Sequence, residues 1–168
     1  NVMEQTKQQF PTEEVTLPSK GLLYPKESPL SKGVIEMKYM TAREEDILTS
    51  ASLIKQGIVL DKLFQSLIVT PIDYNELLVG DKNAIMIAAR VLGYGKEYEV
   101  DITDPFSQED KQKLVIDLTT IEAKEYDFDG ITPHENEFEV TLPISKRLLK
   151  FQLMSHGLEA KVKAEVKS

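Results

Sequence analysis

Histidines and clustered carboxylates are the side chains with which this chain could do chemistry. It has two histidines, His134 and His156, and no cysteine. Thiolate nucleophiles, disulfides and cysteine-based zinc sites are therefore excluded. A zinc helix places two ligands at i and i+4, and neither histidine has such a partner. Between Glu97 and Glu139 lie 14 acidic and 3 basic groups, the raw material for a glycosidase-like carboxylate pair. Tyr126 and Phe128, beside Asp127 and Asp129, could line a sugar groove, but aromatics in such a setting more commonly anchor a loop, and nothing marks two carboxylates as a pair. Gly93-Tyr94-Gly95-Lys96 has the composition of a phosphate loop. It follows a helical pattern and precedes a strand, the wrong order for a helix N-terminus to face a phosphate, so it reads as a helix C-cap. The chemistry expected is recognition without turnover: no catalytic residue, no metal, no cofactor and no small-molecule substrate.

The elements that would carry such recognition follow from charge and pattern. The net charge of −8 is uneven: residues 1–96 are nearly balanced, 97–139 are strongly acidic, and 140–168 hold 6 basic and 2 acidic groups. The acidic middle repels phosphate, so no nucleic-acid partner is expected. The basic end reads as a solvated helix face, or as a surface for an acidic partner such as the acidic segment of a neighbouring copy. No apolar run approaches the roughly 20 residues of a membrane span, and the opening Asn1-Val2-Met3-Glu4-Gln5-Thr6 lacks a signal peptide's apolar core. No membrane partner is expected.

Residues 1–13 read as a polar, flexible N-terminus. A strand begins at Glu14 and stops at Pro18. The Pro- and Gly-rich stretch 18–33 carries Leu22, Leu23, Tyr24 and Leu30, so it either packs on its own domain or is a docking arm. Ile35, Met37 and Tyr39 alternate with Glu36 and Lys38 in a second strand. Thr41 and Glu44 have capping-box spacing at the head of a helix that Gly57 ends. Leu60, Leu63, Phe64 and Leu67 predict a second helix. A third, capped by Asp81, carries Ala84 to Leu92, apolar nearly all round, and should be central and buried. Arg90 within it calls for a carboxylate partner, in the fold or across an interface. Tyr98, Val100 and Ile102, then Leu114, Ile116 and Leu118, predict an acidic hairpin joined through Asp104 to Asp110.

The chain then repeats itself. Glu14-Val15-Thr16-Leu17-Pro18-Ser19-Lys20 returns as Glu139-Val140-Thr141-Leu142-Pro143-Ile144-Ser145-Lys146. Ile35 to Thr41 is echoed by Leu149 to Ser155, and a helix follows each. The class expected is α+β: small antiparallel sheets with a central helical cluster, a strand-turn-strand-helix unit at both ends and an inserted hairpin. The organisation expected is 14–95 as the first unit with the helices, 96–123 as the hairpin, and 124–168 as the second unit.

Val15 to Pro25, Ile35 to Leu48, Leu77 to Ala84 and Ala88 to Lys96 together resemble the baseplate hub assembly proteins of T4-like contractile-tailed bacteriophages. The resemblance covers residues 14–118 well and the second repeat more loosely. It implies a non-enzymatic baseplate hub component, or a tail-assembly chaperone absent from the mature virion. It implies partners among baseplate and tail proteins, with further copies of the chain included, and a place in the host cytoplasm during assembly and in the virion tail baseplate. A carboxylate-based hydrolase is the less favoured alternative. Some relatives carry a Cys-Pro-x-x-Cys knuckle where this chain reads Asp104-Pro105-Phe106-Ser107-Gln108, so a zinc-stabilised hairpin tip is ruled out here. Members also tend to continue further at the C-terminus. The candidate partner anchors are Leu22, Leu23 and Tyr24 in the arm, then Met37, Tyr39 and Met40, with Arg90 as a candidate charged contact.

Overall fold

The computed structural model describes residues 10–103, 111–122 and 127–167. β1 (Thr12–Thr16) pairs antiparallel with β2 (Val34–Lys38), with Val15 opposite Ile35 and Glu13 opposite Met37. Ile35 and Met37 point inward and are buried, whereas Glu36 faces out. Tyr39 lies beyond the end of β2, so the alternation does not carry it into the core, and its hydroxyl donates to Glu13 at 2.6 Å. β1 starts at Thr12, two residues before the expected start; the rest of the polar N-terminus, 1–9, lies outside the described residues.

The segment between these strands folds back on its own domain. Leu23, Tyr24 and Leu30 are core residues. At its base Gly21 and Gly33 both adopt left-handed backbone, and a Cβ on Gly33 would stand 2.6 Å from the Lys20 carbonyl oxygen. Two backbones can meet there only because neither residue has a side chain. The segment is held by one carboxylate. Asp81 accepts from the Ser19 amide at 3.0 Å, from the Ser19 hydroxyl at 2.6 Å and from the Tyr24 hydroxyl at 2.5 Å. The Tyr24 oxygen in turn accepts the Leu78 amide at 3.0 Å. Burial first, and the Asp81 charge second, push the Tyr24 phenol far above its usual range, so it remains a donor.

The helices form from apolar stripes at helical spacing. α1 (Ala42–Thr49) and α2 (Ala51–Gln56) replace the single helix expected from Thr41 to Gly57. Ser50 breaks it: its backbone is extended and its hydroxyl caps α2 by accepting from Leu53. α3 (Val59–Leu67) buries Leu63, Phe64 and Leu67 and packs on α1. α4 (Val79–Tyr94) is central but not buried all round: Ile85 and Ala89 are in the core, while Met86 is 46% exposed. Its N-cap is Leu78, and Asp81 sits in its first turn rather than capping it. There the carboxylate meets both the arm and the positive end of the helix dipole.

β3 (Glu97–Thr103) and β4 (Lys111–Asp117) form the expected acidic hairpin, with Tyr98 opposite Ile116 and Val100 opposite Leu114. Its connection, Asp104 to Asp110, lies outside the described residues, as does the expected groove residue Tyr126. β5 (Phe138–Thr141) pairs with β6 (Leu148–Phe151), and α5 (His156–Val166) follows, capped by Ser155. The fold is α+β, with three separate two-stranded antiparallel sheets among the described residues.

A second buried carboxylate, Glu44, ties β2 to α1 and α3. It accepts from Lys38 at 2.7 Å, Ser66 at 2.7 Å and the Thr41 amide at 2.9 Å, and from the Thr41 hydroxyl. Burial alone would raise its pKa, but Lys38, Thr41 and Ser66 outweigh that and hold it at about 2.

Two predictions follow from these carboxylates. Asp81→Ala strands three donors and should lower the free energy of unfolding by about 3 kcal/mol, with Tyr24→Phe costing about half as much, both read by urea denaturation. The folded Glu44 titrates at about 2, below its ordinary 4.5. Its charge therefore stabilises the fold fully above pH 4.5, and that contribution of about 3 kcal/mol fades as pH falls from 4.5 towards 2. Glu44→Gln should be less stable at neutral pH and show a flatter acid limb; an unchanged limb would refute the assignment.

Candidate functional site

The structure uses both histidines as ties. The His134 amide donates to the Leu22 carbonyl at 2.5 Å, and its Nδ1 lies 3.0 Å from the Tyr24 carbonyl oxygen, clamping the arm from outside. His156 opens α5, stacks edge-on against Tyr74 at 4.6 Å, and its Nδ1 lies 3.3 Å from Lys82 Nζ. Asp61 joins this cluster by accepting from Tyr74 at 2.7 Å and pairing with Lys82 at 3.3 Å. A shallow hollow beside it, bordered by Leu60, Phe64, Lys82, Met86 and Lys163, contains Asp61 as its single carboxylate. Among the described residues no group of three or more histidines and carboxylates could hold a metal ion. Gly95, with φ of 86°, follows the end of α4, and Lys96 turns to Asp117 at 3.7 Å.

The candidate anchors fall in different places. Leu23, Tyr24 and Met37 lie in the core at 5%, 2% and 0% exposure, so no partner reaches them in this conformation. Leu22 and Met40 are half-buried, and Met40 packs over Gly93. Tyr39 stays on the surface. Arg90 meets no carboxylate among the described residues. Its guanidinium lies over Tyr94 at 4.9 Å and Tyr98 at 5.5 Å, and its Nη1 is buried without a hydrogen-bond partner. The rings take the place of the expected counter-ion.

Among the described residues, the second copy of the repeat leaves an apolar face exposed. Its hairpin reproduces the first in register. Thr141 opposite Leu148 and Val140 opposite Leu149 match Thr16 opposite Val34 and Val15 opposite Ile35. Leu142 donates to the Arg147 carbonyl at 2.9 Å as Leu17 donates to Gly33 at 2.8 Å. Lys20 and Lys146 share the left-handed backbone, with φ of 53° and 57°. The helix caps Thr41 and Ser155 each lie seven residues after the first residue of the preceding strand, Val34 of β2 and Leu148 of β6. Leu17, Ile35 and Met37 thus correspond to Leu142, Leu149 and Phe151.

Coverage differs between the copies. The first copy's face is roofed by the arm, α3 and α4, and its edge is paired where Val69 donates to Glu36 at 2.8 Å. In the second copy every residue from Glu139 to Met154 is exposed. Val140, Leu149 and Phe151, 46–49% exposed, form one apolar ladder with Phe138, whose ring stacks on Phe151 at 5.3 Å. Covering each of these side chains is worth about 1 kcal/mol. No sequence signal separated the copies, because both have the pattern of a half-buried hairpin.

The fold and this site define a small α+β protein with an apolar hairpin face left exposed on β5–β6. The chain matches the family of T4 bacteriophage base plate proteins over residues 12–162 and belongs to that family. Membership gives it a structural role in a phage tail baseplate, among other tail proteins. No curated protein and no solved structure gives a match to the chain. Among the described residues no helix is long and apolar enough to cross a membrane.

The two copies should respond oppositely to truncation. Ile35→Ala should cost about 2–5 kcal/mol of stability, while its counterpart Leu149→Ala should cost less than about 1 kcal/mol, both read by chemical denaturation. Equal losses would mean that the second face is covered in solution.

Proposed function

We propose that this protein takes part in assembly of the baseplate hub through protein–protein contacts, without turning over a substrate. The observation that carries the reading is the uncovered ladder of Val140, Leu149 and Phe151, a copy of a face whose Ile35 and Met37 are buried elsewhere in the same chain. Such a face is neutral towards chemistry and favourable towards another apolar surface. The acidic balance of residues 97–139 disfavours nucleic acid as the partner. Tyr39 and Leu22 offer secondary contacts near the arm, and Arg90 a cation held between two tyrosines. Assembly takes place in the host cytoplasm, and the finished role is as a hub component of the virion.

A phage carrying Val140→Ser and Leu149→Ser should lose infectious titre by about tenfold or more and accumulate unassembled hubs, with the variant protein still folded by circular dichroism. Unchanged assembly with a folded variant would sink the docking reading. Mass spectrometry of finished wild-type particles separates the two roles in assembly. Stoichiometric presence marks a hub component, and absence marks a chaperone that leaves before completion.

A further inference from the structure

The first copy of the repeat shows what completes such a unit. Ile35 and Met37 of β2 share the core cluster with Leu63, Phe64 and Leu67 of α3. The residues after α3 then run along the β2 edge. Met37 bridges to Ile68, Val69 donates to the Glu36 carbonyl at 2.8 Å, and the Thr70 hydroxyl accepts from the Glu36 amide at 2.8 Å. α3 also packs on α1, where Leu48 lies against the same cluster. The seat of α3 is thus a sheet face, a strand edge and a position on the following helix.

All three parts recur in the second copy. Leu149 and Phe151 stand where Ile35 and Met37 do, and Lys150 holds the register position of Glu36. Arg147 and Gly33 accept equivalent cross-strand bonds, so the Lys150 backbone turns to the outer edge of β6 as Glu36 does on β2. Val162 on α5 lies as far beyond its cap Ser155 as Leu48 lies beyond Thr41. Leu149, Phe151 and Val162 are 40–49% exposed, so the seat is open at each of these apolar positions. One pair of residues differs. Lys38 and Glu44 correspond to Gln152 and Leu158, and Glu44 is the acceptor for Ser66 of α3.

We propose that β5–β6 and α5 seat an amphipathic helix of a different protein, in the way that β1–β2 and α1 seat α3. This rests on the reading of β5–β6 as a docking surface and names its occupant. The chain's own α3 is held in the first copy, with Leu67 fully buried, so another copy could offer it only by unfolding. The occupant carries large apolar residues with the spacing of Leu63, Phe64 and Leu67, then an extended residue whose amide reaches the β6 edge. It is apolar where α3 has Ser66, because Leu158 offers no acceptor there. The charges beside that edge, Lys150 with Glu137 and Glu139, disfavour a strand that brings no such helix.

A synthetic peptide of residues 58–71 of this chain, added to the isotope-labelled whole chain, tests this by NMR titration. It should bind with a dissociation constant on the order of 100 µM, because a short helix must order itself to bind. The Leu149, Lys150 and Val162 amides should shift. A Ser66→Leu peptide should bind about fivefold more tightly. Were the peptides instead exchanging with α3 in the first copy, the Ser66→Leu form would bind more weakly, because Glu44 would lose a donor. Val140→Ser with Leu149→Ser, and separately Val162→Ser on the exposed side of α5, should each weaken binding about fivefold or more at an unchanged melting temperature. No binding at about 1 mM of either peptide, shifts confined to β2 and α1, or affinities that neither set of substitutions alters would overturn the proposal. If the peptides fail while the Val140 and Leu149 substitutions still block particle assembly, the face docks a partner of another shape. The two readings therefore fail separately.

Discussion

Asp81 is 1% exposed and 62 residues from Ser19 in the chain, yet it fixes where the arm lies. A buried carboxylate costs several kcal/mol unless its lone pairs are satisfied. Here two donors from Ser19 and one from Tyr24 do so. Lifting the arm would strand the charge and expose Leu23 and Leu30 together, so arm and helix move as one body. The same turn carries the rest of the chain. Tyr24 occupies the Leu78 amide, Val79 donates to Met154 at 3.0 Å, and His156 donates to Leu77 at 2.8 Å. Amides that a helix start leaves unbonded are therefore spent on holding both repeats to α4.

The repeat shows what a strand-turn-strand-helix unit needs to be complete. Its alternating pattern produces one apolar face, and a two-stranded sheet cannot bury that face by itself. In the first copy the turn has grown into the arm, and α3 and α4 supply a roof. In the second copy the turn is only Pro143 to Lys146, with Ile144 at its tip 96% exposed, and among the described residues none buries the strands. The same residue types thus give core in one place and surface in the other. The difference lies in what is threaded between and after the strands.

That division marks how far the sequence could be read. Periodicity identified the strands, the α3 stripe, the Ser155 helix and the α+β class, because those signals are local. The repeat was legible as two matching segments; the pairing register that they share comes from the structure. What was not legible was longer in range. A Pro- and Gly-rich loop with Leu23 and Tyr24 looks the same whether it projects or packs, and the bond that decides it spans 57 residues. Asp81 has a capping residue's identity but serves a tertiary contact instead. Ala84 to Leu92 looked buried all round because its apolar residues exceed what its neighbours cover. Arg90 met rings rather than a carboxylate because Tyr94 lies one helical turn beyond it and Tyr98 opens the hairpin that follows α4.

An uncovered hairpin must hold its own shape, and β5–β6 does so with side chains. The Asn136 amide accepts from the Leu153 N–H and donates to the Leu153 carbonyl, both at 2.9 Å, adding a rung where the backbone ladder ends. The Phe138–Phe151 stack holds one face, and Lys150 bridges Glu137 and Glu139 on the other. Exposed ion pairs of this kind add little stability each. Their effect is to fix the register and to place charge along strands that could otherwise recruit another chain at their edges. The apolar side is then held in one register while charged groups lie along the strands. A surface ordered in advance loses little entropy when it is covered. Side-chain ties of this kind account for an exposed hairpin keeping the register of its roofed counterpart.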